Sequence, residues 1–287
     1  MTETPTHPLS GLKPLPRKQS PSTSQEHWEQ VWRRFLDNPD HGRADELIDQ
    51  TVKRVTDRLA LPVSGDDARP LVGWSGGKDS IALEIITTQA GVHDKLLVLS
   101  ALELPSFVQW VQENAPDRLT IHTRENINHD WLRDHPGMLF PTKAADAAKW
   151  FRLVQHTGQR KHMAATGANL LLMGRRRADG NFCGTTSPAG GTEYVDKGGF
   201  TRYCPIADWS HEDTLNVIAS RYGERALAPI YTLPGGFLAG TGPWAARQGL
   251  SSHEEGWDLL CREERPVVLT AADAGIPGAA EALTRNP

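Results

Sequence analysis

The chain has little cysteine and none of it at ligand spacing. Cys183, Cys204 and Cys261 are spread over 287 residues. No Cys-x-x-Cys occurs, so neither a zinc knuckle nor a cysteine-ligated iron–sulfur cluster is expected. The three thiols read as isolated and reduced. No apolar run approaches the roughly 20 residues that a membrane span needs. The N-terminus shows no apolar signal-peptide core, which makes a cytoplasmic protein without a membrane partner the expectation. An excess of one charge is also missing. A net charge of −4 speaks against a surface built throughout for nucleic acid, while leaving room for a local basic patch. His156, His162 and His211 show no metal-ligand spacing, and there is no internal repeat.

What is present is an ordinary globular composition, 38% hydrophobic and 23% charged, long enough for one large core. Residues 1–25 are rich in Pro, Ser and Thr and read as a disordered tail. A helical segment follows over 26–66. Trp28, Val31, Trp32 and Phe35 recur at i, i+3, i+4 and i+7, and Leu47, Ile48, Val52, Val55 and Leu59 continue an apolar face. This layer either packs on the main domain or forms a homodimer interface.

Residues 67–250 read as an α/β nucleotide-binding domain. Strands are expected at Leu71–Trp74, Leu96–Leu102, Leu119–His122 and Asn169–Met173, with helices between them. That alternation predicts a mainly parallel, Rossmann-like sheet with helices on both faces. Trp131–Pro141 reads as a loop and Ala144–Ala165 as a helix. Residues 181–201 lack periodicity and read as a long loop of the lid or binding kind. Ser210 and Asp213 form a capping pattern for the next helix. The stretch Pro234-Gly235-Gly236-Phe237 and Gly240-Thr241-Gly242 reads as a structural loop. Residues 251–287 are expected to hold one short helix and a loosely held tail.

The chemistry concentrates in Ser75-Gly76-Gly77-Lys78-Asp79-Ser80, between an apolar strand and a helix. Two glycines let backbone N–H groups converge on an anion, and the helix points its positive end at the same place. The spacing is not that of a Walker A loop, since only one residue separates the first glycine from the lysine. Lys78 adds a positive charge for that anion, and the Ser75 and Ser80 hydroxyls are further donors. Asp79 fits three roles: orienting the loop, ligating Mg²⁺, or favouring the helix start. Arg175 and Arg176 end a strand on the edge where open α/β sheets bind ligands, and their forks suit phosphate. Arg177 reads as solvated. Asp208 fits a ribose, metal or purely structural contact. Arg160 and Lys161 read as a charged helix face or a basic rim.

Ser75–Ser80 resembles the PP-loop of the ATP pyrophosphatases. With Leu171–Arg176, Pro205–Trp209 and Pro229-Ile230-Tyr231 following in order, residues 70–250 resemble the phosphoadenosine phosphosulfate (PAPS) reductase-like branch of that superfamily. The resemblance implies an adenine nucleotide alpha hydrolase-like fold. It implies catalytic roles for Lys78, Asp79, Arg175 and Arg176, and nucleotide contacts from Ser75, Gly76, Gly77, Lys78, Asp79, Ser80 and Asp208. Asp79 is its metal ligand. The implied cofactors are ATP and Mg²⁺, without an iron–sulfur cluster. The cysteine-bearing tail of a PAPS reductase has no match in Leu283–Pro287.

The function so implied is ATP cleavage between the α and β phosphates to activate an acceptor in sulfur transfer, of the kind used in DNA phosphorothioate modification. Sulfur-transfer or nucleic-acid-modifying proteins are the candidate partners. The alternatives are a PAPS or adenylyl-sulfate reductase or sulfotransferase, and a non-enzymatic nucleotide-sensing subunit.

Overall fold

A computed structural model describes residues 24–287 apart from 224–226, 233–235, 237–239 and 249. The expected tail therefore falls outside the described residues up to position 23, as do Pro234, Gly235 and Phe237. The first helix begins inside the segment read as tail. α1 spans Gln25–Asp37, and its N-cap Ser24 accepts from His27 N. α2 spans His41–Leu59 and is capped by Asp40, which accepts from Arg43 N. Each cap satisfies an orphan N–H of a first turn, worth about 1 kcal/mol.

The parallel core is β1 (Pro70–Gly73), β2 (Lys95–Ser100), β3 (Leu119–Arg124), β4 (Leu170–Met173) and β7 (Thr201–Cys204). Two further strands, β5 (Thr185–Thr186) and β6 (Thr192–Val195), extend it. The order is β3-β2-β1-β4-β7-β6-β5. β1 pairs in parallel with β2 on one side and β4 on the other, while β6 runs antiparallel to β7 and β5. All four residues of β4 and all six of β2 are buried, as strands covered on both faces must be. Each fully buried leucine there contributes about 1.5–3 kcal/mol.

Helices α3 (Lys78–Gln89), α4 (Pro105–Asn114), α5 (His129–Asp134), α6 (Ala144–Phe151), α7 (Thr157–Thr166) and α8 (His211–Tyr222) connect or cover these strands. A π-helical turn, Arg152–His156, joins α6 to α7. The capping box at Ser210 and Asp213 is formed as the sequence predicts. The apolar faces of α1 and α2 are buried within the chain, with Trp28, Val31, Trp32, Leu47, Ile48 and Val55 all in the core and both helices packed on α8.

Three expectations are corrected. The 181–201 segment is not one loop, because β5 and β6 form a hairpin-like extension of the sheet. The short strands carry no run of alternating apolar residues, so no period marks them. Trp131–Pro141 contains most of α5 and a 3-10 turn at Pro136–Met138. The C-terminal region is three helices, α9 (His253–Glu263), α10 (Arg265–Asp273) and α11 (Ala279–Arg285). Val268, Ala271, Ala279 and Ala282 are fully buried there. Small residues packed closely hold this bundle, and their low hydrophobicity reads as tail in a one-dimensional pattern.

Candidate functional site

The strand order reverses between β1 and β4, and the crevice at such a switch point is where open α/β sheets bind ligands. The Ser75–Ser80 loop leaves the carboxyl end of β1 at that point. Gly76 has φ +66°, and a Cβ there would meet the rings of Phe107 and Trp110 at 3.0 Å. Only glycine fits both constraints. Ser80 Oγ closes the loop by donating to Gly77 O at 2.8 Å and accepting from Ser75 N at 3.0 Å. Ser75 Oγ accepts from Gly77 N at 3.3 Å. The two serines expected as ligand donors thus shape the loop itself.

Around Gly77 the loop is lined with hydroxyls. A Cβ on Gly77 would lie 3.2 Å from Ser75 Oγ, 3.3 Å from Thr241 Oγ1 and 3.4 Å from the Tyr231 hydroxyl. Lys78 N, at the first turn of α3, donates to Tyr231 Oη at 2.7 Å. The phenol oxygen therefore occupies a position that an anion oxygen would take at a helix N-terminus.

Lys78 is buried, and its Nζ lies 3.0 and 2.9 Å from the two carboxylate oxygens of Asp79. Burial pushes the amine below the usual lysine range. Asp79 offsets this, and the nearby Arg176 adds to the lowering. Arg176 has no exposed surface. Its Nε stands 2.8 Å from Asp79 Oδ1, and its Nη2 lies 3.1 Å from Asp179 Oδ1 and 2.8 Å from His211 Nδ1. Arg176 Nη1 donates to Trp209 O at 3.4 Å. The approach of β4 to α3 needs Gly174, where a Cβ would sit 2.6 Å from the Asp79 carbonyl oxygen.

The predicted site residues thus separate into three groups. Lys78, Asp79 and Arg176 come together with Ser75–Ser80. Arg176 holds Asp79 from below, so it acts as a positioning residue. Arg175 turns away: its guanidinium lies 4.7 Å above the Phe151 ring and donates to Tyr194 Oη at 3.0 Å and Phe182 O at 3.3 Å. Asp208 forms an exposed ion pair with Arg177, outside the Lys78–Asp79–Arg176 cluster.

Asp79 engages two side-chain cations. No group of three or more His, Cys, Asp or Glu side chains converges among the described residues. This donor set does not fit a resident metal.

Sequence reasoning missed Asp179, Tyr231 and Thr241 as members of the site. Asp179 could have been found by its i+3 spacing from Arg176. Tyr231 and Thr241 are brought in only by the tertiary fold. It also read the cysteines as isolated, whereas the Cys183 and Cys204 thiols interact and are both buried. Cys204 lowers the Cys183 pKa, helped by Arg175 and Arg177, while Cys183 and burial raise that of Cys204.

A cleft of about 430 Å³ is lined by Arg69, Lys95, Arg118 and His162 at the opposite, amino end of the strands. It has no part in the loop chemistry.

Fold and site define a doubly wound α/β protein with a glycine-rich loop at its switch point. No protein-family model matches the chain, and no curated protein matches it. Among solved structures, a PAPS reductase from Candida auris in a phosphate complex aligns at 16% identity. The match covers 69% of this chain and 87% of that one, with a TM-score of 0.41. Yeast FAD synthetase in complex with FAD aligns at 12% identity over 66% of this chain and 64% of its own, with a TM-score of 0.39. A U34-tRNA thiolase from Methanococcus maripaludis with its 4Fe-4S cluster aligns at 11% identity over 84% and 80%, with a TM-score of 0.41. Among the described residues, no helix is long and apolar enough to cross a membrane.

Proposed function

We propose that this protein is an ATP-using enzyme that cleaves the nucleotide between its α and β phosphates and passes the adenylyl group to an acceptor in sulfur transfer. The observation that carries the reading is the buried Lys78 ammonium at the switch point, held by Asp79, which Arg176 anchors in turn. The acceptor's nucleophile forms a bond to the α-phosphorus as the bond to the bridging oxygen breaks. Pyrophosphate leaves, and the acceptor's proton passes to solvent. Lys78 and the α3 N-terminus meet the charge that develops on the leaving group, in a site that is already organised. The arriving phosphates favour the ammonium form of Lys78 and counter its burial. The resemblance of Ser75–Ser80 to the PP-loop supports the choice of ATP and of the α–β bond. The resemblance of residues 70–250 to the PAPS reductase-like branch supports sulfur transfer.

Incubation with α-labelled ATP tests the proposal. AMP or an adenylylated product together with pyrophosphate is expected, and Lys78→Ala should abolish both. Release of ADP, or binding of ATP by Lys78→Ala as tight as by the wild type, would refute it.

A further inference from the structure

Arg175, drawn away from the phosphate loop, belongs to a second surface at the same end of the sheet. Its guanidinium is held between aromatic rings. Phe151 stacks on it at 4.7 Å, and Tyr194 accepts its hydrogen bond. Phe182 packs on Tyr194 with ring centroids 5.1 Å apart. Phe182 is 68% exposed and Phe151 is 37% exposed, so two rings with exposed surface stand beside one cation. Exposed phenylalanines carry a hydrophobic cost, and a fold with an ample core does not need them there for stability.

The backbone beneath is built to hold this arrangement. Phe151 ends α6 where the chain widens into the π-helical turn Arg152–His156, a distortion that recurs at functional sites. Thr157 Oγ1 donates to Arg152 O at 2.8 Å inside this turn. The His156 ring packs edge-on against Phe151 at 4.6 Å.

The segments that carry these residues are rich in cations. Residues 143–162 contain five cations (Lys143, Lys149, Arg152, Arg160, Lys161) against Asp146 alone, and residues 174–183 contain three arginines against Asp179 alone. Of these, Arg176 is buried against Asp79 and Asp179, Arg177 pairs with Asp208 and Arg160 pairs with Asp196, which leaves Arg175 on the Phe151 ring and the exposed Arg152 next to Phe151 in sequence as the cations beside the rings. Stacking faces interleaved with arginines are the features that bind unpaired bases and their phosphates.

We infer that the surface formed by Phe151, Arg175, Phe182 and Tyr194 is a docking platform for single-stranded nucleic acid, which supplies the acceptor. This rests on the adenylyl-transfer reading above, because Arg175 is bonded in sequence to Arg176, which anchors Asp79. An unpaired base stacks on Phe182 or Phe151, and the flanking cations take its phosphates. A duplex, whose bases are already stacked, cannot use the rings.

The test is fluorescence anisotropy with fluorescein-labelled, mixed-sequence oligonucleotides: single-stranded RNA, single-stranded DNA, and the corresponding duplex, without ATP and over a salt series. The expected result is salt-dependent binding of a single strand in preference to the duplex. Phe182→Ala should weaken it about tenfold, with an unchanged melting temperature and unchanged ATP binding. Comparison of the RNA and DNA arms identifies the sugar. Absence of single-strand binding at low salt, equal binding of the duplex, or equal binding by Phe182→Ala would each overturn the inference. The two readings fail separately: oligonucleotide binding that survives in Lys78→Ala while no adenylyl product forms keeps the platform and removes the ATP chemistry. ATP cleavage without oligonucleotide binding does the reverse.

Discussion

Arg176 Nε lies 2.8 Å from Asp79 Oδ1, joining the turn after β4 to the first turn of α3. Both ends of this contact are tied further, Arg176 to Asp179 and His211 and Asp79 to Lys78. It is a buried network in which every charge has a partner, and its members are costly to remove singly. Truncating Arg176 to Ala leaves Asp179 without its main partner in the core. The expected loss is about 3–5 kcal/mol, measured by urea denaturation. A loss below about 1 kcal/mol would show that the network does not hold the loop.

Under the proposed adenylyl transfer, Lys78 is the cation of the loop that meets the leaving pyrophosphate. Lys78→Met keeps the apolar stem and removes the charge. The expected effect is a fall in kcat of about 10²–10³, the size seen when one preorganised donor is lost. Single-turnover kinetics with labelled ATP reads it. A change confined to KM would assign Lys78 to ground-state binding alone.

The Tyr231 hydroxyl accepts from Lys78 N at 2.7 Å. Tyr231→Phe frees that N–H for a phosphate oxygen. ATP should bind about 2- to 10-fold more tightly, in line with one hydrogen bond of ordinary net strength, as read by calorimetry. Weaker binding would mean that the hydroxyl contacts the nucleotide itself.

Glu103 sits where β2 gives way to α4. One of its oxygens accepts from Ser100 N and Oγ, and the other is buried without a hydrogen-bond partner among the described residues. Burial pushes its pKa from 4.5 up to about 7, and the Ser100 bonds oppose this. The folded state therefore holds the proton more tightly than the unfolded chain. The stabilisation is complete below about pH 4.5 and is lost as pH rises through about 7. Its size is about 3 kcal/mol. Glu103→Gln should remove this slope and be the more stable protein above pH 7, as followed by thermal melts across pH.

His156 carries the opposite slope. Burial, then Arg202, Arg175 and Arg160, push its pKa from 6.5 down to about 4. Its contribution is present above about pH 6.5 and is lost as pH falls through about 4, again about 3 kcal/mol. His156→Gln should flatten the acid limb of the same melts. An acid limb identical to wild type would place the ring in water.

The comparison of sequence with structure divides by range. The hydrophobic run at β2, the apolar stripe of α1 and the capping box at Ser210 were readable because periodicity and capping are local. So was the loop, whose glycines, lysine and serines are adjacent. Residues 181–201 and 265–287 were misread because their packing uses short strands and alanines, which leave a weak hydrophobic period.

Local chemistry thus determined that a glycine-rich loop opens a helix after an apolar strand in an α/β chain. It did not determine what each polar group does there. Three consecutive arginines look alike in sequence, yet one is buried under Asp79, one lies on Phe151 and one pairs with Asp208 at the surface. The fold decided this, because a charged side chain takes its role from the partners and the burial it meets, and those came from β6, α6 and α8, distant along the chain. The same holds for Tyr231, whose hydroxyl reaches Lys78 only when the chain has closed over the loop.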